Sequence, residues 1–386
     1  MICLPYILLI TIFAVCAYEF EYVQAYEKKI YFTATAIIVF FIFFGFRGYV
    51  GTDWLSYSYI LEKADWSDFK NWALDFDDDK IREPGFLFLM LICKSIYNDY
   101  FFLVFVCMAI DTFLLLRFLK KMEVENIAFA LMVFSTFGGP ELLFNLLRNA
   151  LSLLIFLNGL EYINSRKPIP YFLICALALT FHFSALIFFP LYFFMHYRLN
   201  KWFYAGFFIA VVCFYLSKTS LLSLIVSGFD VGGVIGGRLE YYTDYYSGAS
   251  SIRLLTIFEH FILVFFVVWL YDEIIEKKEN RIILINGLLI FLTFYYVLAE
   301  FLTMSHRMSL MFYFPYWILW MDIIHTLYLK HNKQLMLVVF YLYCVIIQIG
   351  NFHEQTAYYD NILFGHKSYK EREKIYNMTF EEFGKQ

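Results

Sequence analysis

The chain has 386 residues, 61% of them hydrophobic and only 17% charged, whereas a soluble domain carries about 25% charged residues. With 48 Phe and 32 Tyr, its apolar residues outrun the polar ones available to cover them, which excludes a water-soluble globule and makes lipid the natural solvent. A formal net charge of −4, with the few basic residues scattered, excludes a nucleic-acid partner.

A bilayer core of about 30 Å takes roughly 20 apolar residues in a helix. The first run, Ile2–Tyr18, lacks a positive n-region and an A-x-A site, so it reads as a retained helix and not a cleaved signal. It is followed by Ile30–Phe46, Tyr100–Leu119, Glu141–Ile163, Lys201–Leu216, Arg253–Asp272, Ile282–Phe301, Met308–His325 and Gln334–Gly350. Asn126–Phe137, Pro170–Phe181 and Ser184–His196 span only as short or tilted helices, bringing the expectation to about twelve crossings. The expected fold is all-α: a polytopic transmembrane bundle over residues 1–350, with external loops at about 47–84 and 218–252 and a polar external tail, 351–386. All seven Cys (Cys3, Cys16, Cys93, Cys107, Cys175, Cys213, Cys344) lie in apolar stretches without metal-ligand spacing and read as small hydrophobes.

Orientation follows from the basic connections. Lys28/Lys29, Lys120/Lys121, Arg166/Lys167, Arg198/Lys201, Lys277/Lys278/Arg281 and Lys330/Lys333 should face the cytoplasm. The acidic stretch Arg47–Glu83, with Asp75, Asp77, Asp78 and Asp79, should face out, as should the Gly/Tyr-rich stretch Lys218–Ile252. One alternating path fits all six connections if Pro84–Tyr97 is re-entrant or interfacial.

That path gathers unusual residues at the outer side: Arg47 with Asp53 nearby, Arg148 beyond the Gly138-Gly139-Pro140 break, His182, Arg238, and His306 with Arg307. A charge at membrane depth costs at least about 2.5–3.5 kcal/mol and normally faces protein or water. Arg148 reads either as a snorkelling or Glu141-paired arginine or as a guanidinium that grips phosphate or carboxylate. His182 reads as a helix-end histidine or as a general base near neutral pH. Asp111, Glu259, His260 and Glu300 also interrupt apolar segments, and each can simply pair within the bundle. Tyr241/Tyr242 and Tyr358/Tyr359, in external segments, suit either interfacial anchoring or stacking on sugar rings. The run Asp77-Asp78-Asp79 reads as a solvated charge run, so no metal is expected.

Several ordered blocks resemble the EpsG family of bacterial polysaccharide polymerases, relatives of Wzy-type O-antigen polymerases. Phe46-Arg47-Gly48-Tyr49-Val50-Gly51-Thr52-Asp53, with Tyr57 and Tyr59 after it, resembles the family's R-G-x-x-G-T-D-x-x-x-Y block. Glu83-Pro84-Gly85-Phe86 resembles its E-P-G-[FY] helix entry, and Leu147-Arg148-Asn149-Ala150-Leu151 its intramembrane Arg motif. Phe181-His182-Phe183-Ser184-Ala185-Leu186 is similar to its F-H-x-S-A-L motif, and Arg307 followed by Tyr313 echoes a later block. Asn149 replaces a usual Gln and Phe183 a frequent Lys or Pro, which leaves the Arg and the His in place.

The resemblance implies a GT-C-like glycosyltransferase of the bacterial cytoplasmic membrane, without cofactor or nucleotide sugar, that polymerises exopolysaccharide, capsule or O-antigen. It would join repeat units carried on undecaprenyl-type polyprenyl diphosphate at the outer membrane face. Membrane lipid and other polysaccharide-export proteins are the further partners. Arg148, Arg307, Arg47 and Arg238 become candidate diphosphate ligands; His182, then Asp53 or Glu83, candidate bases; and Tyr57, Tyr241 and Tyr242 candidate glycan contacts. Asp53 alternatively orients Arg47 through a salt bridge. Competing readings are a glycan ligase, a flippase of lipid-linked oligosaccharide, and a membrane O-acyltransferase. A flippase would place its ionisable residues near the midplane in two similar halves, and the sequence shows no convincing repeat.

Overall fold

A computed structural model describes residues 2–23, 25–70, 83–218, 252–327, 329–352 and 355–383. Among them every regular element is helical, as composition requires, and extended pairing is limited to isolated bridges from Asn361 to Arg47 and Gly365. Contacts divide the chain into two compact units, Met1–Phe193 with Leu329–Gln386, and Phe194–Tyr328.

The first unit begins with α1 (Leu4–Tyr22), α2 (Tyr26–Gly45), α3 (Trp54–Lys63), α4 (Trp66–Lys70), α5 (Pro84–Ile96) and α6 (Tyr100–Lys121). It continues through α7 (Ile127–Thr136), α8 (Gly139–Phe144), α9 (Leu147–Leu157), α10 (Glu161–Asn164) and α11 (Pro168–Phe181), a 3-10 run Phe183–Phe193, and the late helices Lys330–Asn351 and Tyr369–Phe383. α1 packs on α2, α7 and Lys330–Asn351. That seam is tied by the Thr11 and Tyr341 hydroxyls at 2.8 Å and by Gln348, which donates to the Ser135 carbonyl at 2.8 Å. α9 lies between α6 and α11 and buries every residue except Arg148, as expected for a helix apolar nearly all round.

The second unit holds α12 (Lys201–Leu216), with the bounds the sequence led us to expect, then Leu254–Trp269, bent by 65° against Tyr271–Lys277. Arg281–Leu292, Leu302–Leu310 and Tyr316–Thr326 follow. Several basic connections are locally neutralised within one unit or the other: Lys121 pairs with Glu161 at 2.5 Å, Lys201 with Asp272 at 2.7 Å and Arg281 with Asp322 at 2.6 Å.

Among the described residues four helices are long and apolar enough to cross a bilayer, five if the bent pair counts as one span, against about twelve expected. Three expected crossings are broken, each for a local reason. Glu141–Ile163 breaks at Asn145–Leu146 and again at Asn158, because both Asn side chains are engaged elsewhere. Asn145 accepts from the Thr52 amide at 2.7 Å and donates to Glu141 at 3.0 Å, while Asn158 donates to the Leu114 carbonyl at 2.9 Å. Ile282–Phe301 widens into a π-turn at Thr293–Val297, whose released carbonyls at Phe294 and Tyr295 accept from the Ser305 hydroxyl. Met308–His325 stops at Leu310 and resumes after Pro315. α5, at 13 residues, is about 20 Å long, short of a perpendicular crossing.

Candidate active site

Three sequence blocks meet at one carboxylate in the first unit. Glu83 stands at the N-cap of α5 in extended conformation, as a residue before proline should, but its side chain does not cap the helix. The carboxylate reaches instead to Arg148, whose Nη1 donates to Oε2 at 2.7 Å. Its other oxygen, Oε1, faces the Nε2 of His182 at 4.0 Å. Glu141, which the sequence offered as one possible partner of Arg148, accepts from Asn145 at 3.0 Å, and the guanidinium pairs with Glu83.

Each side chain is delivered by a helix terminus. The break at Asn145–Leu146 puts Arg148 in the first turn of α9, closer to that helix's entry than the expected two turns. His182 is the C-cap of α11, extended at φ −157°, so the ring leaves the helix line where the 3-10 run begins. Gly85 lets the start of α5 approach the end of α11. A Cβ there would lie 2.4 Å from the Thr180 hydroxyl and 3.0 Å from the Thr180 carbonyl oxygen, distances that tolerate no side chain. Exposure differs among the three side chains: 29% for Arg148 and 20% for His182, against 9% for Glu83. A ligand therefore meets the guanidinium and the imidazole edges first, with the carboxylate behind them.

Tyr57 on α3 closes one side. Its ring lies 5.9 Å from the Arg148 guanidinium carbon and 5.9 Å from the Phe86 ring. Burial pushes its hydroxyl above the ordinary phenol value, with Arg148 opposing, so the phenol stays protonated at neutral pH. The His182 Nδ1 is engaged by its own turn, with the Ser184 hydroxyl at 2.7 Å and the Ser184 amide donating at 3.1 Å.

Arg47, expected at the diphosphate, is wholly buried. Its Nη1 donates to the Phe44 carbonyl at 2.8 Å and its Nη2 to the Leu143 carbonyl at 2.6 Å, which joins the ends of α2 and α8. Burial lowers its affinity for the proton, and the carbonyl partners replace the Asp53 pairing that the sequence suggested. Asp53 sits at the start of α3 with the Thr52 hydroxyl at 3.4 Å. Arg307 lies exposed on Leu302–Leu310 of the second unit. Arg238, Tyr241, Tyr242 and the Asp75–Asp79 run lie outside the described residues.

The segment after Asn351 was expected as a polar external tail, and sequence reasoning missed its role. Residues 355–369 strap across the Arg47–Asp53 block. Tyr359 donates to the Phe43 carbonyl at 2.9 Å, Asn361 to Ile42 at 3.1 Å, and the Ile362 amide to Phe46 at 2.8 Å. With Arg47 on Phe44, these bonds cover the carbonyls around the C-terminal end of α2, adding a second donor at Ile42, which also accepts from the Phe46 amide. The strap also accepts from the block: the Gly48 amide donates to Asp360 and the Gly51 amide to Thr356. Gly51 has φ +84°, and a Cβ on it would meet the Asn145 amide oxygen at 2.1 Å. Tyr369 then packs edge-on against Trp54 at 5.2 Å, holding the start of the helix that carries Tyr57.

The EpsG family model matches residues 29–364. The matched range takes in all three blocks of the site and most of the strap. No curated protein and no solved structure matches the chain.

Proposed function

The chain belongs to the EpsG family, and from that premise we propose that it is a multi-pass glycosyltransferase of the bacterial cytoplasmic membrane that polymerises lipid-linked repeat units. The observation that carries the reading is the meeting of Arg148, Glu83 and His182 from three separate blocks. The substrates are polyprenyl-diphosphate-linked oligosaccharides presented at the outer face, on which the strap and the tail also lie.

In the reaction the acceptor hydroxyl oxygen attacks the anomeric carbon of the donor chain. The bond from that carbon to the diphosphate oxygen breaks, and its electron pair stays on the diphosphate. Arg148 stabilises the charge gained there, in a site where protein and lipid exclude much of the water. The hydroxyl proton passes to the Glu83–His182 pair. Tyr57, buried beside Arg148, holds a protonated hydroxyl against the guanidinium and so positions it. Arg47 acts from behind as the clamp that shapes the loop, and no step needs a metal.

Incubation of the purified protein with lipid-linked repeat units tests this reading. A ladder of products supports a polymerase. A single transfer to a foreign acceptor would mean a ligase, and unreacted substrate delivered to the opposite leaflet a flippase.

A further inference from the structure

The geometry points to Ser184 as a positioning residue that fixes the tautomer of His182, so that Glu83 and not the imidazole takes the acceptor's proton. The chemistry rests on the polymerase reading; the geometry does not.

The Nδ1 atom of His182 faces two groups of one residue, the Ser184 amide at 3.1 Å and the Ser184 hydroxyl at 2.7 Å. A backbone N–H only donates, so Nδ1 must present its single in-plane lone pair to it. A proton on Nδ1 would set two hydrogens face to face. The hydroxyl, free to rotate, donates to the same lone pair. A turn closed by the Ala185 amide donating to the His182 carbonyl at 3.1 Å holds this arrangement where α11 ends.

The single proton of the neutral ring therefore sits on Nε2 and points at Glu83 Oε1, 4.0 Å away. With one nitrogen protonated and the other engaged, the ring has no open lone pair for a hydroxyl proton. A carboxylate oxygen has one. The 4.0 Å separation is the looseness usual before substrate closes a catalytic hydrogen bond. Among the described residues Arg148, from the first turn of α9, also faces this pair, with Tyr57 of α3 beside it. In the step that follows, the acceptor hydroxyl proton moves to Glu83 while Nε2–H supports its other oxygen, and the new glycosidic bond forms as the diphosphate leaves.

The test uses the full chain in lipid nanodiscs with histidine labelled by 15N in the ring, and His182→Gln to assign the signals. Wild type should show an unprotonated, hydrogen-bonded Nδ1 and a protonated Nε2. Ser184→Ala removes one of the two donors and should shrink the tautomer ratio roughly fivefold, the worth of one ordinary hydrogen bond. It should lower kcat for chain extension several-fold at unchanged KM, and Ser184→Thr, which keeps the hydroxyl, should restore both. A protonated Nδ1 in wild type, or a spectrum that Ser184→Ala leaves unchanged, overturns the assignment even where the enzyme makes its ladder. Absence of a ladder from wild type with the expected spectrum instead removes the polymerase reading and leaves the tautomer standing.

Discussion

Replacing Arg148 with alanine separates two consequences that the structure places on one side chain. The first is structural: Glu83, only 9% exposed, loses the cation bonded to it at 2.7 Å. Breaking a fully buried pair costs about 3–5 kcal/mol. Arg148 keeps 29% of its side chain exposed, so solvent screening reduces this to about 1–3 kcal/mol. The second is chemical: removing one preorganised group at a developing negative charge lowers kcat by about 10²–10³-fold. The double variant Arg148→Ala/Glu83→Gln distinguishes them, because a neutral amide in place of the stranded carboxylate restores much of the stability and none of the extension. The assays are thermal unfolding in detergent and product-length analysis with lipid-linked repeats. Normal polymer lengths from Arg148→Ala would remove the guanidinium from the mechanism, and a double variant no more stable than the single would refute the pairing argument.

Other sites give sharper geometric tests. Gly85→Ala should force α5 away from Thr180, widen the Glu83–His182 separation, and lower extension by at least tenfold while membrane insertion is unchanged; full activity would show that this close approach is dispensable. Tyr359→Phe leaves the Phe43 carbonyl without its donor and should cost about 1 kcal/mol, read as a thermal midpoint lower by a few degrees at most. Gly51→Ala, strained at φ +84° and blocked by Asn145, should cost more than Tyr359→Phe in the same assay, and the reverse order would contradict the packing of the loop on α8.

Much of the fold was legible where apolar length decides it. α12 starts at Lys201 and ends at Leu216, where its sequence changes character. The break at Gly138 was readable, because a glycine takes the left-handed φ of 81° that ends one helix and Pro140 suits the first turn of the next. The break at Asn145 was not, since an asparagine interrupts a helix only when distant groups, here Thr52 and Glu141, claim its side chain. In the site, Arg148, Glu83 and His182 each announced themselves in a motif, but which carboxylate joins which cation is set by Gly85 and the two helix ends. The burial of Arg47 was not legible, because a guanidinium bound to carbonyls has the same sequence signature as one facing phosphate. The strap was invisible for a related reason: several of its bonds to the block run between main-chain atoms, which carry no side-chain code.

The strap also sets an order of events during synthesis. The block bearing Arg47 and the helix bearing Tyr57 leave the ribosome early, yet the groups that cover the end of α2 come some three hundred residues later. Until Tyr359 and Asn361 arrive, the Phe43 carbonyl lacks its side-chain donor and the Ile42 carbonyl keeps only the Phe46 amide. A nascent or prematurely stopped chain thus carries an Arg47 block without its strap, and that region is completed only after the helices between have been made.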